Sequence, residues 1–415
     1  LRAALAEAPA RDSLRLRPIA ATICRGTPPP IQTSRVQCRA MADGGPFFSV
    51  GENRVRHLND ACQAYPAMLA AIRAARDEVL LEMYWVGADR VGYQFRDALI
   101  ERATAGVTVR VIYDALGSIR LPADFWEPLR QVGGKVIQYG PLAPWRRHFR
   151  FWRLRFRDHR KVLVADMRTA FTGGLNLAEP WLPVDEGGAG WRDDAVELRG
   201  PASHQLRSLF YDTWWYLGGT RPRNSRRRYR RTRRGVWVLS NLVYGSPNRA
   251  IRRAYLLAIR RAQVSIDLAC AYFVPGPVIL HALLAAHRRG VKIRLLVPLQ
   301  SDIRLVDLAT HGLLDLLVRA GIRVYAFRGR VLHSKLGVVD NRYVTIGSHN
   351  LDTQSLRFNL ESNIAIDDRG FAAAVTGSFE RDLASAIKLD RAFLAAVSWW
   401  VRLLAWIVAR FRAFL

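Results

Sequence analysis

His159-Arg-Lys-Val-Leu-Val-Ala-Asp166 returns 174 residues later as His333-Ser-Lys-Leu-Gly-Val-Val-Asp340, with histidine, lysine and aspartate at identical spacing. Each copy then runs to a glycine turn and an asparagine, Gly173-Gly-Leu-Asn176 in one and Gly347-Ser-His-Asn350 in the other. Successive strand residues alternate faces, so a histidine and a lysine two apart leave the same side. The chain turns at Met167-Arg168 or Asn341-Arg342 and returns through Ala170-Phe-Thr172 or Val344-Thr-Ile346. The spacing therefore predicts a β-hairpin in each copy that brings Asn176 or Asn350 back near its own histidine. One such octet reads equally well as coincidence on an amphipathic strand. Two copies with the same return make a duplicated half-site.

The flanks repeat as well. Residues 66–76 and 94–105 read as helices among apolar strands at 79–85, 106–114 and 135–139. Residues 250–262, 278–289 and 305–320 read as helices among strands at 264–272, 290–297 and 323–327. Short strands alternating with helices of ten or more residues predict an α/β fold, a largely parallel sheet covered by helices on both faces. Two such domains are expected, at 41–220 and 236–390, joined by a basic linker at 221–235.

A phosphodiester repels nucleophiles because it is negative, and these residues answer that difficulty. Lys161 and Lys335 supply positive charge, and the amides of Asn176 and Asn350 donate to non-bridging oxygens. One histidine attacks phosphorus, splitting one hard displacement into two. The other protonates the leaving alkoxide and then deprotonates the acceptor. Each histidine needs a carboxylate on its far ring nitrogen, and the candidates are Asp193 in Trp191-Arg-Asp193 and Glu361 in Asn359-Leu-Glu361. By the duplication, the acid of one half is placed to orient the histidine of the other. Ser348 stands where the first copy has Gly174, and a further phosphate contact is expected of it. Asp166 and Asp340 complete the candidate catalytic set but lie too far along the strand to touch phosphate, and read as braces.

Composition bounds the partners. With 415 residues, half of them hydrophobic, the chain folds around large cores and is no disordered polycation. A net charge of +28 calls for a polyanionic partner: nucleic acid, anionic lipid head groups or an acidic substrate. Cys24, Cys38, Cys62 and Cys270 are scattered without C-x-x-C spacing, so neither a zinc site nor a disulfide framework is expected, and a reducing compartment is the default. Residues 1–40 lack the apolar core of a secretory signal and read as a disordered or mistranslated leader before Met41.

On these motifs the chain resembles the phospholipase D superfamily, and within it the bacterial cardiolipin synthases, in a short form without N-terminal transmembrane helices. Glu82-Met-Tyr-Trp85, Arg110-Val-Ile-Tyr-Asp114 and Tyr272-Phe-Val-Pro275 add to the likeness. The resemblance implies a pseudo-twofold pair of α/β/α sandwich domains sharing one active site at their interface. It also implies a reaction that needs no metal or other cofactor and runs through a phosphatidyl-histidine, with His159 as nucleophile and His333 as acid/base. The phosphatidyl group would pass to phosphatidylglycerol, releasing glycerol, with phosphatidylethanolamine as another possible donor. A hydrolytic phospholipase D and a phosphodiesterase or nuclease on the same scaffold are the alternatives.

Two stretches favour a membrane partner over nucleic acid. Trp145-Arg-Arg-His-Phe-Arg-Phe-Trp-Arg-Leu-Arg-Phe-Arg157 interleaves arginines with aromatics, as an interface rich in lipid phosphates would suit. Residues 391–415 read as an amphipathic helix lying in the membrane plane, since Arg402 makes spanning expensive. Peripheral attachment to the cytoplasmic face of a bacterial inner membrane is the expectation.

Overall fold

The computed structural model describes residues 45–143, 155–222, 235–241, 250–299, 304–352, 354–355 and 358–392. The leader, most of the arginine–aromatic stretch, nearly all of the linker and the 393–415 segment lie outside the described residues.

The first half forms one eight-stranded sheet in the order β1-β2-β8-β7-β6-β3-β4-β5. Its strands are β1 (Phe48–Val50), β2 (Asn53–Asn59), β3 (Glu78–Met83), β4 (Thr108–Asp114), β5 (Lys135–Tyr139), β6 (Lys161–Ala165), β7 (Thr169–Gly173) and β8 (Asp194–Arg199). The second sheet runs β16-β12-β11-β10-β13-β14-β15-β9. It comprises β9 (Val236–Ser240), β10 (Ser265–Cys270), β11 (Lys292–Pro298), β12 (Arg323–Phe327), β13 (Lys335–Val339), β14 (Tyr343–Gly347), β15 (Ser362–Asp367) and β16 (Ala386–Leu389). Among the strands of the described residues, only β3, β4 and β5, and likewise β10, β11 and β12, pair in parallel. The largely parallel sheet expected from the βα alternation is thus corrected to a mixed one. The motif hairpin adds antiparallel beside β3 or β10, and the strand that begins just after the downstream acid continues that sense.

Helices α1 (Asp60–Ala74), α2 (Arg90–Thr104) and the short α3 (Glu127–Gln131) cover the first sheet with α4 (Pro201–Tyr216). Their counterparts are α5 (Ala250–Arg261), α6 (Pro277–Arg288), α7 (Arg304–Arg319) and α8 (Arg369–Ala384). Helix α1 starts before the expected position, so that Pro66 sits inside it.

The motif strands are apolar throughout because both faces are covered. Leu163 faces the core formed with α1 and α2, while Val162 and Val164 face a cluster shared by both halves. Leu336 and Val338 enter that shared cluster from the other side, with Phe210 of α4 and Phe371 of α8. The halves are therefore docked through a common apolar core, which holds the two motifs against one seam. Each hairpin closes on a turn with positive φ at Asp166 and Met167 (52° and 56°) or Asp340 and Asn341 (53° and 46°), the type I′ pattern that matches strand twist.

Cys62 is disulfide-bonded, contrary to the expectation of no disulfide framework, because sequence spacing does not report which cysteines the fold brings together. Among the described residues, no helix is long and apolar enough to cross a membrane.

Candidate active site

Both histidines stand just before their strands, not within them, since β6 and β13 open at Lys161 and Lys335. Each approach segment makes a short parallel bridge to the other half: Asp158 with Leu360, and Leu332 with Arg192. The His159 amide donates to the Leu360 carbonyl (3.0 Å), and the His333 amide to that of Arg192 (2.7 Å). The next residue after each bridge partner is an acid. Glu361 therefore meets His159 Nδ1 at 3.1 Å, and Asp193 meets His333 Nδ1 at 2.6 Å. The carboxylates cross the seam, and each Nε2 is turned to the opposite side of its ring.

Lys161 Nζ donates to the His159 carbonyl (2.8 Å), and Lys335 Nζ to that of His333. Asn176 accepts from the Trp85 amide through Oδ1 (3.2 Å), which orients its NH2 group; its carbonyl accepts from the Tyr65 hydroxyl (2.6 Å). Asn350 is buried at the equivalent place, its Oδ1 without a hydrogen-bond partner among the described residues. Burial pushes the Lys161 ammonium down to about 7; Glu361 opposes this and Lys335 adds to it. Burial, with the Lys161 charge, also lowers His159 below its usual value. Asp193 is pushed up to about 6 by burial, against the attraction of Lys335. Glu361 is equally buried, but His159 beside it holds its carboxyl down at about 2. These mutual influences put four cationic or imidazole groups and two carboxylates within one electrostatic neighbourhood at the seam.

One expectation is corrected and one is met. The Ser348 hydroxyl was expected to contact phosphate, but it donates to Glu361 Oε2 and accepts from the Ser362 amide (3.1 Å), so it supports the carboxylate that holds His159. Its counterpart Gly174 has no room for a side chain: a Cβ there would stand 2.1 Å from Asp193 Oδ1. Asp166 and Asp340, the acids of the two motifs, lie as expected at the far end of their strands, about 16 Å from Lys161 and Lys335 at ~3.3 Å per residue. Asp166 accepts from the amides of Arg76, Asp77 and Glu78, and Asp340 from those of Gln263, Val264 and Ser265. They pin each hairpin to the entry of β3 or β10.

Sequence reading missed the groups that weld the seam. Arg160, between the histidine and lysine, is buried and donates to Thr213 (2.9 Å) and to the Asn241 carbonyl (2.7 Å) of the second half. It also pairs with Glu82 at 3.5 Å. Burial raises the carboxyls of both Glu82 and Asp158, and the Glu82 charge pushes Asp158 further up. Arg192 bonds Asp194 (3.0 Å) and reaches Asp382 (2.8 Å) in α8. Asp194 in turn takes His57 (2.6 Å) and the Ser334 hydroxyl. Breaking such a buried pair costs about 3–5 kcal/mol. The signal available was position: Arg160 stands between His159 and Lys161, and Arg192 directly before Asp193.

Aromatic rings frame the two histidines unequally. Trp181 and Trp191 lie 5.3 and 5.6 Å from His333, with Tyr272 at 6.4 Å, and Trp181 Nε1 donates to Asp193 (3.0 Å). His159 has Tyr84 edge-on at 4.8 Å, and the same ring lies 5.0 Å from Lys161 Nζ. Among the described residues, no group of three or more His, Cys, Asp or Glu side chains is placed to hold a metal ion.

Residues 255–383 match the family described as cardiolipin synthase, PLD-like domain. The chain is 32% identical to cardiolipin synthase 2 of Bacillus anthracis over 82% of its length and 67% of that protein's. It is also 32% identical to cardiolipin synthase A of Pseudomonas entomophila, over 84% of this chain and 72% of the other. The chain thus spans about two thirds of the relatives it matches. In fold it is similar to the phosphatidylserine synthase of Haemophilus influenzae, with a TM-score of 0.66 at 15% identity, covering 92% of this chain and 99% of that one.

Proposed function

The chain belongs to the bacterial cardiolipin synthases of the phospholipase D superfamily, and from that premise we propose that it passes a phosphatidyl group to phosphatidylglycerol through a phosphohistidine. The observation that carries this reading is the crossed pair of buried carboxylates. Each fixes Nδ1–H of the opposite half's histidine, so both imidazoles present Nε2 as a base or nucleophile at the same seam.

In the first step, Nε2 of His159 attacks phosphorus and forms a P–N bond as the P–O bond to the head-group alcohol breaks. His333 gives its proton to the departing alkoxide. In the second step, His333 takes the proton of the acceptor's primary hydroxyl, whose oxygen attacks phosphorus and breaks the P–N bond. Lys161, Lys335, Asn176 and Asn350 oppose the charge on the non-bridging oxygens throughout. Glu361, held ionised, stabilises the imidazolium that forms on His159 as it becomes a nucleophile. With phosphatidylglycerol as both donor and acceptor, the products are cardiolipin and glycerol.

Labelled phosphatidylglycerol in mixed micelles, followed by lipid chromatography, tests this. Labelled cardiolipin with release of glycerol is the expected result. Phosphatidic acid as the sole product would overturn transfer in favour of hydrolysis, and unchanged lipid would overturn both.

A further inference from the structure

Nine large apolar side chains are exposed among the described residues, and they are not spread evenly. Leu116 and Ile119, 42% and 53% exposed, stand on the turn that leaves β4 at the site end of the sheet. Tyr93 and Val278, in the first turns of α2 and α6, lie at that end too. So does Trp215, two residues beyond the Thr213 that bonds Arg160. By contrast, Val264 lies at the opposite end, where its amide is held by Asp340.

The 115–121 turn is braced, not loose. Asp114 Oδ1 accepts from the amides of Leu116 (2.8 Å) and Gly117 (3.2 Å), and the Ser118 hydroxyl donates to the Tyr84 carbonyl (3.2 Å) and accepts from the Val86 amide (3.0 Å). A Cβ on Gly117 would meet the Tyr84 carbonyl oxygen at 2.3 Å, so the turn is pressed onto the strand end. The other oxygen of Asp114 accepts from the backbone N–H of Asp158 (2.9 Å), the residue immediately before His159. One buried carboxylate therefore clamps both the turn and the approach to the histidine. A fixed turn that holds two aliphatic side chains in water, with exposed Arg120 beside them, is built to enter something apolar whose surface is anionic.

We propose that the Leu116–Ile119 turn is a bilayer-docking wedge: the two side chains enter the boundary between head groups and acyl chains, and Arg120 meets lipid phosphates. This rests on the lipid reading of the site and specifies which face of the molecule meets the membrane. Nucleic acid would account for Arg120 and the charge of +28 but not for the aliphatic pair. Docking there sets the head-group plane beside the end of β4, so a lipid phosphate reaches the seam without leaving the membrane.

The test is sedimentation of the full chain with vesicles of phosphatidylglycerol and phosphatidylcholine. The Leu116→Ser, Ile119→Ser double variant should bind about 10- to 100-fold more weakly, while Leu257→Ser, Val264→Ser binds as the parent does. Circular dichroism and Tm confirm that each variant is folded. Turnover of a short-chain phosphatidylglycerol below its micellar concentration should stay within about twofold in the double variant while turnover on vesicles falls. Unchanged vesicle binding by the double variant, or an equal loss in the distal variant, would overturn the wedge. Failure of every protein to turn over the short-chain lipid would count against the enzymatic reading and leave the binding result standing.

Discussion

Beneath Lys161 the sheet presents Met83, Leu163, Phe171 and Ala195, with Leu175 in the same apolar core. The equivalent register positions beneath Lys335 hold Cys270, Gly337, Thr345 and Asn363, with His349 in place of Leu175. One floor is hydrocarbon, the other polar: Asn363 donates to Thr345 (3.2 Å), and both ring nitrogens of buried His349 lack a recorded partner. Yet above both floors the histidine, lysine, asparagine and crossed carboxylate are set alike. The chemistry constrains the ring of groups around phosphorus, while the layer below is filled with hydrocarbon in one half and with polar side chains in the other.

The supports of the histidines differ in a complementary way. Glu361 is reinforced by Ser348 and Asn359, whereas Asp193, shorter by one methylene, is approached so closely by Gly174 that no side chain fits. Both buried arginines of the seam come from the first half, so the two halves are docked alike but not held alike.

The largest effect should come from the histidines. His159→Asn and His333→Asn are each expected to lower turnover by about 10³–10⁵-fold. Quenching in alkaline denaturant, which spares the acid-labile P–N bond, of a reaction with phosphorus-labelled lipid separates their roles: label should stay on the chain in the His333 variant and be absent in the His159 variant. The reverse pattern would exchange the two assignments.

Next come the crossed acids, with losses of about 10²–10⁴-fold in kcat. Glu361→Gln should suppress covalent labelling, because it acts on His159. Asp193→Asn should permit labelling and slow its discharge. If each variant instead impaired the step assigned to its own half, the crossing would have no functional meaning.

A swap of the supports is expected to be unequal. Gly174→Ser, which drives a side chain into Asp193, should cost about 10- to 100-fold in kcat, and Ser348→Gly, which removes one hydrogen bond to Glu361, less than about tenfold.

The pH dependence sharpens the same contrast. Asp193, raised to about 6, must be ionised to hold His333, and Lys161, lowered to about 7, must be protonated to meet phosphate. In the free protein both conditions hold together only between those values, so kcat/KM should be a narrow bell between about pH 6 and 7. A bound phosphate anion favours the ammonium, so the alkaline limb of kcat should lie higher. A Lys161→Arg variant with an unchanged alkaline limb would rule out Lys161 as its source.

The smallest effect concerns the floor. His349→Leu copies the first half and removes two buried, unpartnered ring nitrogens, so it should stabilise the fold by about 1–3 kcal/mol. A raised Tm with little change in kcat is the expected reading, and a lowered Tm would mean that the polar floor is itself satisfied.

Much of this was legible in the sequence. The hairpins, the βα frames and the identity of the acids follow from local periods, two residues per repeat in strands and glycine or aspartate where φ must turn positive. Misplacements were of local context: the histidines precede their strands, Pro66 lies within its helix, and Ser348 faces an acid instead of the site. The proportion of parallel pairing was misread because a βα alternation describes three strands and is silent on how a hairpin adds to them.

By itself, the sequence determined that the chain holds two copies of one phosphate-handling motif, and which side chains each copy contributes. The duplication raised the crossing of the acids as an expectation; the tertiary structure decided it, setting Glu361 on His159 and Asp193 on His333 across the seam, and it alone placed Arg160 and Arg192 to lock it. Spacing along a strand reports which face a side chain leaves. Contacts between residues 140 or 202 positions apart arise when two apolar surfaces dock, and no local period encodes that.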